Sequence, residues 1–281
     1  MKKTVIEIIR EAENDLPLSD IYLLLIHALR KTKEFLFTYP HNVLSAHELA
    51  KWEDNKKRRM QGEPVSYITG EKEFYSLLFK VNHETLIPRP ETELLVDEII
   101  KREPESLLDI GTGAGNIAVS VKYHLANCSI VAIDINEGAL KVAWENAERI
   151  LGKHDIRFIQ SDFFNNLSRE KFDIIISNPP YIMSKSIKKL QPEIRDYEPG
   201  QALDGGADGL DAYKVIINEG WKYLRSGGVG AIHELPLLIL EIDPEILDGI
   251  RTILQDRRYR IEKIAKDHTG AERMIILSLL K

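Results

Sequence analysis

Residues 172–181 read Phe172-Asp173-Ile174-Ile175-Ile176-Ser177-Asn178-Pro179-Pro180-Tyr181. The run from Phe172 to Ile176 is short, apolar and β-branched, the composition of a strand buried on both faces of a parallel sheet. Neither Pro179 nor Pro180 can donate to a sheet ladder, so the strand stops there. Four unusual groups are thereby delivered to the carboxyl edge of a sheet, where open α/β folds bind ligands. Asn178 brings a carbonyl acceptor on a short stem, Pro179 a backbone carbonyl without an N–H, and Tyr181 a flat apolar face. Two acceptors beside an aromatic face suit a planar NH₂ group, such as a side-chain amide or the exocyclic amine of a nucleobase. Taken alone, the tetrapeptide reads equally well as a proline-rich turn with Tyr181 as packing.

Outward from this stretch, strand and helix alternate. Strands are expected at Leu107–Ile110, Ile130–Ile133, Ile156–Ile159 and Phe172–Ile176, then near 229–241, 259–265 and 272–280. Helices are expected near 116–126, 137–151, 211–224 and 245–255. This alternation specifies an α/β fold, a doubly wound and mostly parallel sheet of seven strands. Residues 1–66 read differently, as a small helical domain. Val5, Ile8, Ile9 and Ala12 share one helical face, and Ser19 is expected to cap a second helix carrying Ile21, Leu24, Leu25, Ala28 and Leu29. Ser45-Ala46-His47-Glu48 is a capping box opening a third, expected to end near Gly62. Its basic run Lys51, Lys56, Lys57, Arg58 and Arg59 reads as a solvated face. Residues 67–90, rich in aromatic and apolar groups, read as a β-hairpin connector, and the α/β domain occupies 91–281.

The first strand-to-helix turn is Asp109-Ile110-Gly111-Thr112-Gly113-Ala114-Gly115. Glycines there let the backbone turn tightly and approach a ligand without Cβ atoms in the way. The spacing is Gly-x-Gly-x-Gly rather than a dinucleotide fingerprint, and Asp109 before it suits an amino group better than a phosphate. Asp134 ends the second strand, where an acid can take both ribose hydroxyls, of NAD as well as of other nucleosides. Asp162 ends the third strand and Phe163 follows, an acceptor and a ring suited to an adenine. Each aspartate singly is an ordinary loop residue or cap; three at successive strand ends, with Asn-Pro-Pro-Tyr at the fourth, form a constellation.

That order resembles a class I S-adenosylmethionine-dependent methyltransferase, and more closely the PrmC/HemK family of peptide chain release factor glutamine methyltransferases. Supporting stretches are Gly62-Glu63-Pro64-Val65-Ser66-Tyr67-Ile68-Thr69-Gly70, Ile87-Pro88-Arg89-Pro90-Glu91-Thr92-Glu93, Tyr197-Glu198-Pro199 and Ala202-Leu203-Asp204-Gly205-Gly206-Ala207-Asp208-Gly209-Leu210. The resemblance implies that Gly111, Thr112, Gly113, Ala114 and Gly115 wrap the methionine end of S-adenosylmethionine, with Asp109, Asp162 and Asn178 also among the cofactor contacts. It implies that Asp134 holds the ribose and Phe163 lies against the adenine. Asn178, Pro179, Pro180 and Tyr181 would hold a substrate glutamine amide, with Asn178, Pro179 and Tyr181 acting in catalysis. The helical domain would engage the release factor, and the hairpin would join the two domains. The family pattern is broken after Gly227-Gly228, where Val229–Leu235 and Leu237–Ile242 compete for one strand; the second matches better.

Composition narrows the alternatives. With 43% hydrophobic and 29% charged residues, the 281-residue chain can bury a sizeable core. A net charge of −6 argues against binding nucleic acid mainly through phosphates, which disfavours an adenine methyltransferase. A glutamine methyltransferase acting on a ribosomal protein stays open as the nearer alternative. The single cysteine, Cys128, lies in an apolar run and reads as an inert core residue. No apolar signal core or membrane span is evident, the eight histidines are scattered without metal-ligand spacing, and the expectation is a cytoplasmic protein.

Overall fold

In the N-terminal helices, polar caps set the ends and an apolar stripe sets the packing. The computed structural model describes residues 2–225, 236–255 and 258–280. Helix α1 (Val5–Ala12) opens on a capping box between Thr4 and Glu7 and buries Val5, Ile8, Ile9 and Ala12, as expected. Helix α2 (Leu18–Leu29) starts earlier than a Ser19 cap would allow. Pro17 stands at the cap, its carbonyl accepting from the amides of Asp20 and Ile21, while Ser19 sits in the first turn and donates to Asp20. The rest of the bundle is α3 (Lys33–Thr38), α4 (Ala46–Met60) and α5 (Val65–Thr69). Ser45 and Glu48 form the expected capping box of α4. These helices enclose a core of Ile8, Ile21, Leu24, Leu25 and Trp52.

The chain divides into two units, and the division is not a single cut. Residues up to Glu71 form one unit together with Gln191–Tyr197; Lys72–Leu190 and everything from Glu198 onward form the other. Within the helical unit, Arg59 donates to Asp20 at 2.7 Å and to Glu193, of the short helix Pro192–Arg195, at 2.7 Å. The Tyr197 hydroxyl donates to the Gln61 carbonyl at 3.1 Å. The basic run of α4 is therefore only partly a solvated face: Lys56 pairs with Asp15 and Arg58 with Glu63.

The second unit is the α/β part. It opens within a hairpin, β1 (Glu71–Phe74), whose first residue closes the helical unit, and β2 (Leu77–Lys80), turned by Tyr75 and Ser76 at φ of 52° and 58°. A 3₁₀ turn at Pro90–Thr92 leads into α6 (Glu93–Arg102). Then follow β3 (Ser106–Ile110), α7 (Asn116–His124), β4 (Ser129–Asp134), α8 (Glu137–Leu151), β5 (Arg157–Gln160) and β6 (Ile174–Ser177). After two longer helices at Asp211–Gly220 and Leu247–Leu254 and the strand β7 (Leu237–Glu241) between them, the chain ends in β8 (Tyr259–Lys266) and β9 (Glu272–Leu279). Of the two stretches competing for one strand, Leu237–Ile242 supplies β7; Val229–Leu235 lies outside the described residues.

The seven strands lie in the order β5-β4-β3-β6-β7-β9-β8. Neighbours from β5 to β7 pair in parallel, and β9 runs against both its neighbours. Side chains alternate between two faces. Leu108, Ile110, Val131, Ile133, Ile175, Leu238 and Leu240 enter one core, beside Tyr213 and Ile216. Leu107, Ile130, Ala132, Ile174, Ile176, Leu237 and Ile239 enter the other, beside Phe74, Phe79 and Leu95. Cys128 is buried in that second core, and burial pushes its thiol up to about 12, as for an inert residue. The strand order reverses between β3 and β6, the switch point at whose carboxyl ends such sheets bind ligands. Among the described residues no helix is long and apolar enough to cross a membrane.

Candidate active site

At the switch point, β3 delivers Asp109 and the glycine turn. Asp109 is fully buried; Thr112 donates to its Oδ2 at 2.7 Å, and no partner of good geometry reaches Oδ1 among the described residues. Burial pushes the Asp109 carboxyl up to about 7, the Thr112 hydroxyl opposing and the nearby Asp134 charge adding to the rise. The amides of Gly111 and Thr112 donate to the Ile133 carbonyl, bending the chain across the end of β4. Gly111 and Gly113 take φ of 72° and 54°, and a Cβ on either would meet nothing within 4 Å. Gly115 differs, since its Cβ would lie 3.0 Å from that of Ala143, so it serves the packing of α7 on α8. Asp134 at the end of β4 braces the turn: its Oδ2 accepts from Gly113 N and its Oδ1 from Asn136 N, both at 2.9 Å.

These features fit S-adenosylmethionine. The glycines leave room where side chains would stand, and a buried carboxyl with one oxygen short of a well-formed hydrogen bond suits a cationic amino group. An acid at the next strand end suits ribose hydroxyls.

Beside the glycine turn, β6 ends in Ser177, whose hydroxyl donates to the Ile110 carbonyl at 2.7 Å and ties the two strand ends together. Asn178 follows, half-buried, and its Nδ2 donates to Thr92 Oγ1 at 3.2 Å. The Thr92 hydroxyl in turn donates to Glu241 Oε2 at 2.6 Å. Thr92 and Glu241 are each 1% exposed. Burial pushes the Glu241 carboxyl up to about 7, with the Thr92 hydrogen bond opposing. Sequence reasoning passed over both residues. Glu241 becomes recognisable only from the sheet register: Ser177 pairs with Leu240, so Asn178 and Glu241 are the next residues of two neighbouring strands.

The remaining candidates are placed as follows. Pro179 is buried, and Pro180 and Tyr181 are half-buried, with Tyr181 packed against the core that holds Tyr213. Burial, then the Glu241 charge, raises the Tyr181 phenol. Asp162 is exposed; Phe163 is half-buried at φ 46°, and its carbonyl accepts from Ser161 Oγ at 2.6 Å. The glycine-rich stretch after Ala202 lies against the site backbone. A Cβ on Gly205 would stand 2.8 Å from the Pro180 carbonyl oxygen, and one on Gly209 2.5 Å from that of Tyr181. Ile182 N donates to Leu203 O and Gly205 N to Ile182 O, fastening the two segments. Glu198 accepts from Ile87 N and pairs with Arg89, which anchors the approach to the Pro90–Thr92 turn.

Comparison with known proteins places the chain in a family. Two family models match in tandem, the PrmC N-terminal domain over residues 3–70 and the methyltransferase small domain over residues 90–193. A release factor glutamine methyltransferase of Caulobacter vibrioides is 40% identical over 228 residues, covering 80% of this chain and 79% of that one. Its counterpart in Koribacter versatilis is 34% identical over 270 residues, 94% of this chain and 92% of that one. The chain belongs to the release factor glutamine methyltransferase family. As a member of that family it is an S-adenosylmethionine-dependent methyltransferase with the class I fold. A methyltransferase crystal structure from Pyrococcus furiosus shares that fold, with a TM-score of 0.53 at 18% identity over 81% of this chain and 98% of the other.

Proposed function

We infer that this enzyme transfers a methyl group from S-adenosylmethionine to the side-chain amide nitrogen of the glutamine in the Gly-Gly-Gln motif of peptide chain release factors. The observation that carries the reading is the orientation of Asn178. Its NH₂ is held by Thr92, so its carbonyl oxygen is the end of the amide left to accept from a substrate, just past the end of β6 and next to β3, from which the glycine turn follows.

S-adenosylmethionine supplies an electrophilic methyl on a sulfonium. Gly111–Gly115, Asp109, Asp134, Asp162, Phe163 and Asn178 are the residues we assign to holding it. An amide nitrogen is a poor nucleophile, because its lone pair is delocalised into the carbonyl. Asn178 Oδ1 and the Pro179 carbonyl accept from the substrate NH₂, fix its lone pair in line, and favour the positive charge that develops on nitrogen. Pro180 stiffens the chain that carries them, and Tyr181 offers the ring against which the amide plane lies. The extra proton can leave after transfer, so no strong base is needed.

Residues 1–66, with the neighbouring stretch up to Glu71 and Gln191–Tyr197 of the same unit, are assigned to engaging the release factor, the rest of 67–90 to joining that unit to the remainder, and the rest of 91–281 to catalysis. The net charge of −6 supports a protein partner over nucleic acid, and the place of work is the cytoplasm, where release factors act. Incubation with labelled S-adenosylmethionine and an intact release factor, followed by mass spectrometry, tests the reading. A methyl on the motif glutamine is the expected result. Label on a ribosomal protein or on nucleic acid, with the factor left unlabelled, overturns it.

A further inference from the structure

We propose that Thr92 and Glu241 are positioning residues that decide which end of the Asn178 amide faces the substrate. This rests on the reading of Asn178 as the residue that holds the substrate amide.

An asparagine side chain has two faces of similar shape and opposite polarity, and only one of them serves here. The substrate NH₂ presents hydrogens, so Asn178 must present its oxygen; turned over, it would set two N–H groups against two N–H groups. The choice is made at Thr92. A hydroxyl has one hydrogen, and that of Thr92 is committed to Glu241 Oε2 at 2.6 Å. Toward Asn178 it can therefore offer only a lone pair, which accepts from Nδ2 at 3.2 Å and turns Oδ1 away. Both Thr92 and Glu241 are 1% exposed, so bulk water does not compete for these bonds.

The chain of three groups is built into the fold. Thr92 comes from the Pro90–Thr92 turn ahead of α6, Asn178 from the end of β6 and Glu241 from the end of β7. The Tyr213 hydroxyl donates to the Glu241 carbonyl at 2.7 Å, holding that strand end in place. The charges facing the Glu241 carboxyl are Glu91 and Arg89 from the turn and Arg273 from β9; the phenols of Tyr181 and Tyr213 feel its charge in turn, together with that of Asp243. A proton on Glu241 would undo the arrangement. The carboxyl could then donate to Thr92, whose own hydrogen would turn to Asn178 and reward the wrong orientation.

The test uses the full-length enzyme, an intact release factor and saturating S-adenosylmethionine. Thr92→Val should lower kcat about 10-fold to 10²-fold, as small misplacements at a reacting centre do. KM for the factor should stay within about twofold, since the lost bond is internal to the enzyme and governs alignment rather than docking. Thr92→Ser should recover most of the loss. In an Asn178→Ala background, Thr92→Val should add nothing, because the group through which it acts is gone. The wild-type kcat should fall as pH drops through about 7, and Glu241→Gln, which keeps an acceptor but cannot titrate, should flatten that limb. Wild-type kcat in Thr92→Val, or a loss that adds in full to that of Asn178→Ala, overturns the proposal. Should Thr92→Val not fold, an acid limb unchanged in Glu241→Gln overturns it instead. Full activity in Asn178→Ala alone would point elsewhere, to failure of the underlying reading of the site.

Discussion

Truncating Asn178 to alanine removes one of the two acceptors assigned to the substrate amide and leaves the Pro179 carbonyl alone. Loss of one preorganised polar group should cost on the order of 10²-fold in kcat, with cofactor affinity much less affected. Steady-state kinetics beside calorimetry separates the two effects. Asp134→Ala should weaken S-adenosylmethionine binding by about 1.5–3 kcal/mol, the scale of hydrogen bonds to a charged group. The loss should sit at the upper end, because the same carboxylate also braces Gly113 N and Asn136 N. Unchanged affinity by calorimetry would remove Asp134 from the site. Glu241 makes a different prediction, about stability. Its carboxyl is raised from an ordinary 4.5 to about 7 by burial, so the folded state binds the proton more tightly than the unfolded chain does. Below pH 4.5 both states are protonated and burial of the group costs little. As pH rises through about 7 the folded state must hold a buried charge, and roughly 3 kcal/mol is lost. Glu241→Gln should therefore stabilise the enzyme at pH 8 and make little difference at pH 4.5. Urea unfolding at the two pH values checks this; equal gains at both would mean that the carboxyl is not the source.

At the scale of elements, the glycine-rich stretch behind the site is the most constrained feature. Gly209→Ala would place a Cβ 2.5 Å from the Tyr181 carbonyl oxygen at φ +77°, a left-handed conformation. The cost should be about 1–3 kcal/mol of stability together with a fall in kcat, since the backbone displaced is that of the tetrapeptide. Gly200→Ala is the control, because its Cβ would meet nothing within 4 Å. Equal behaviour of the two variants in melting and turnover would sink the argument. Such tertiary contacts set the limit of what could be read from sequence. The buried strands were legible because a strand covered on both faces is apolar throughout, as Leu107–Ile110 and Ile174–Ile176 are. The glycine turn was legible because it follows a strand directly, and Asp134 because it ends one; Asp109 lies inside β3 and Asp162 two positions past β5. Thr92 and Glu241 were not, because their contact spans 149 positions and exists only once β7 is known to lie beside β6. Ser19 was misread because a proline carbonyl took over the work expected of a serine hydroxyl.

For the molecule as a whole, substrate choice should depend on the folded partner. The assigned acceptors recognise only an NH₂ group, which any glutamine or asparagine carries, so discrimination has to come from contacts remote from the reacting atoms. An intact release factor should be methylated with a kcat/KM on the order of 10²-fold above that of a short Gly-Gly-Gln peptide. Comparable values for the two would remove the need for a recognition domain. Deleting residues 1–66 is a poor probe of that domain, because it strips Arg59 and Gln61 from Glu193 and Tyr197, which lie far along the chain. The same circumstance bears on ancestry. Because the polypeptide passes between its units after Glu71, after Leu190 and again after Tyr197, exchanging the N-terminal stretch alone does not bring in a whole new helical unit. A transplanted module would arrive without the seven residues that complete it and would meet the host's version of them instead. Such a unit should therefore change by point substitution, in step across two distant stretches of the gene, rather than by wholesale exchange.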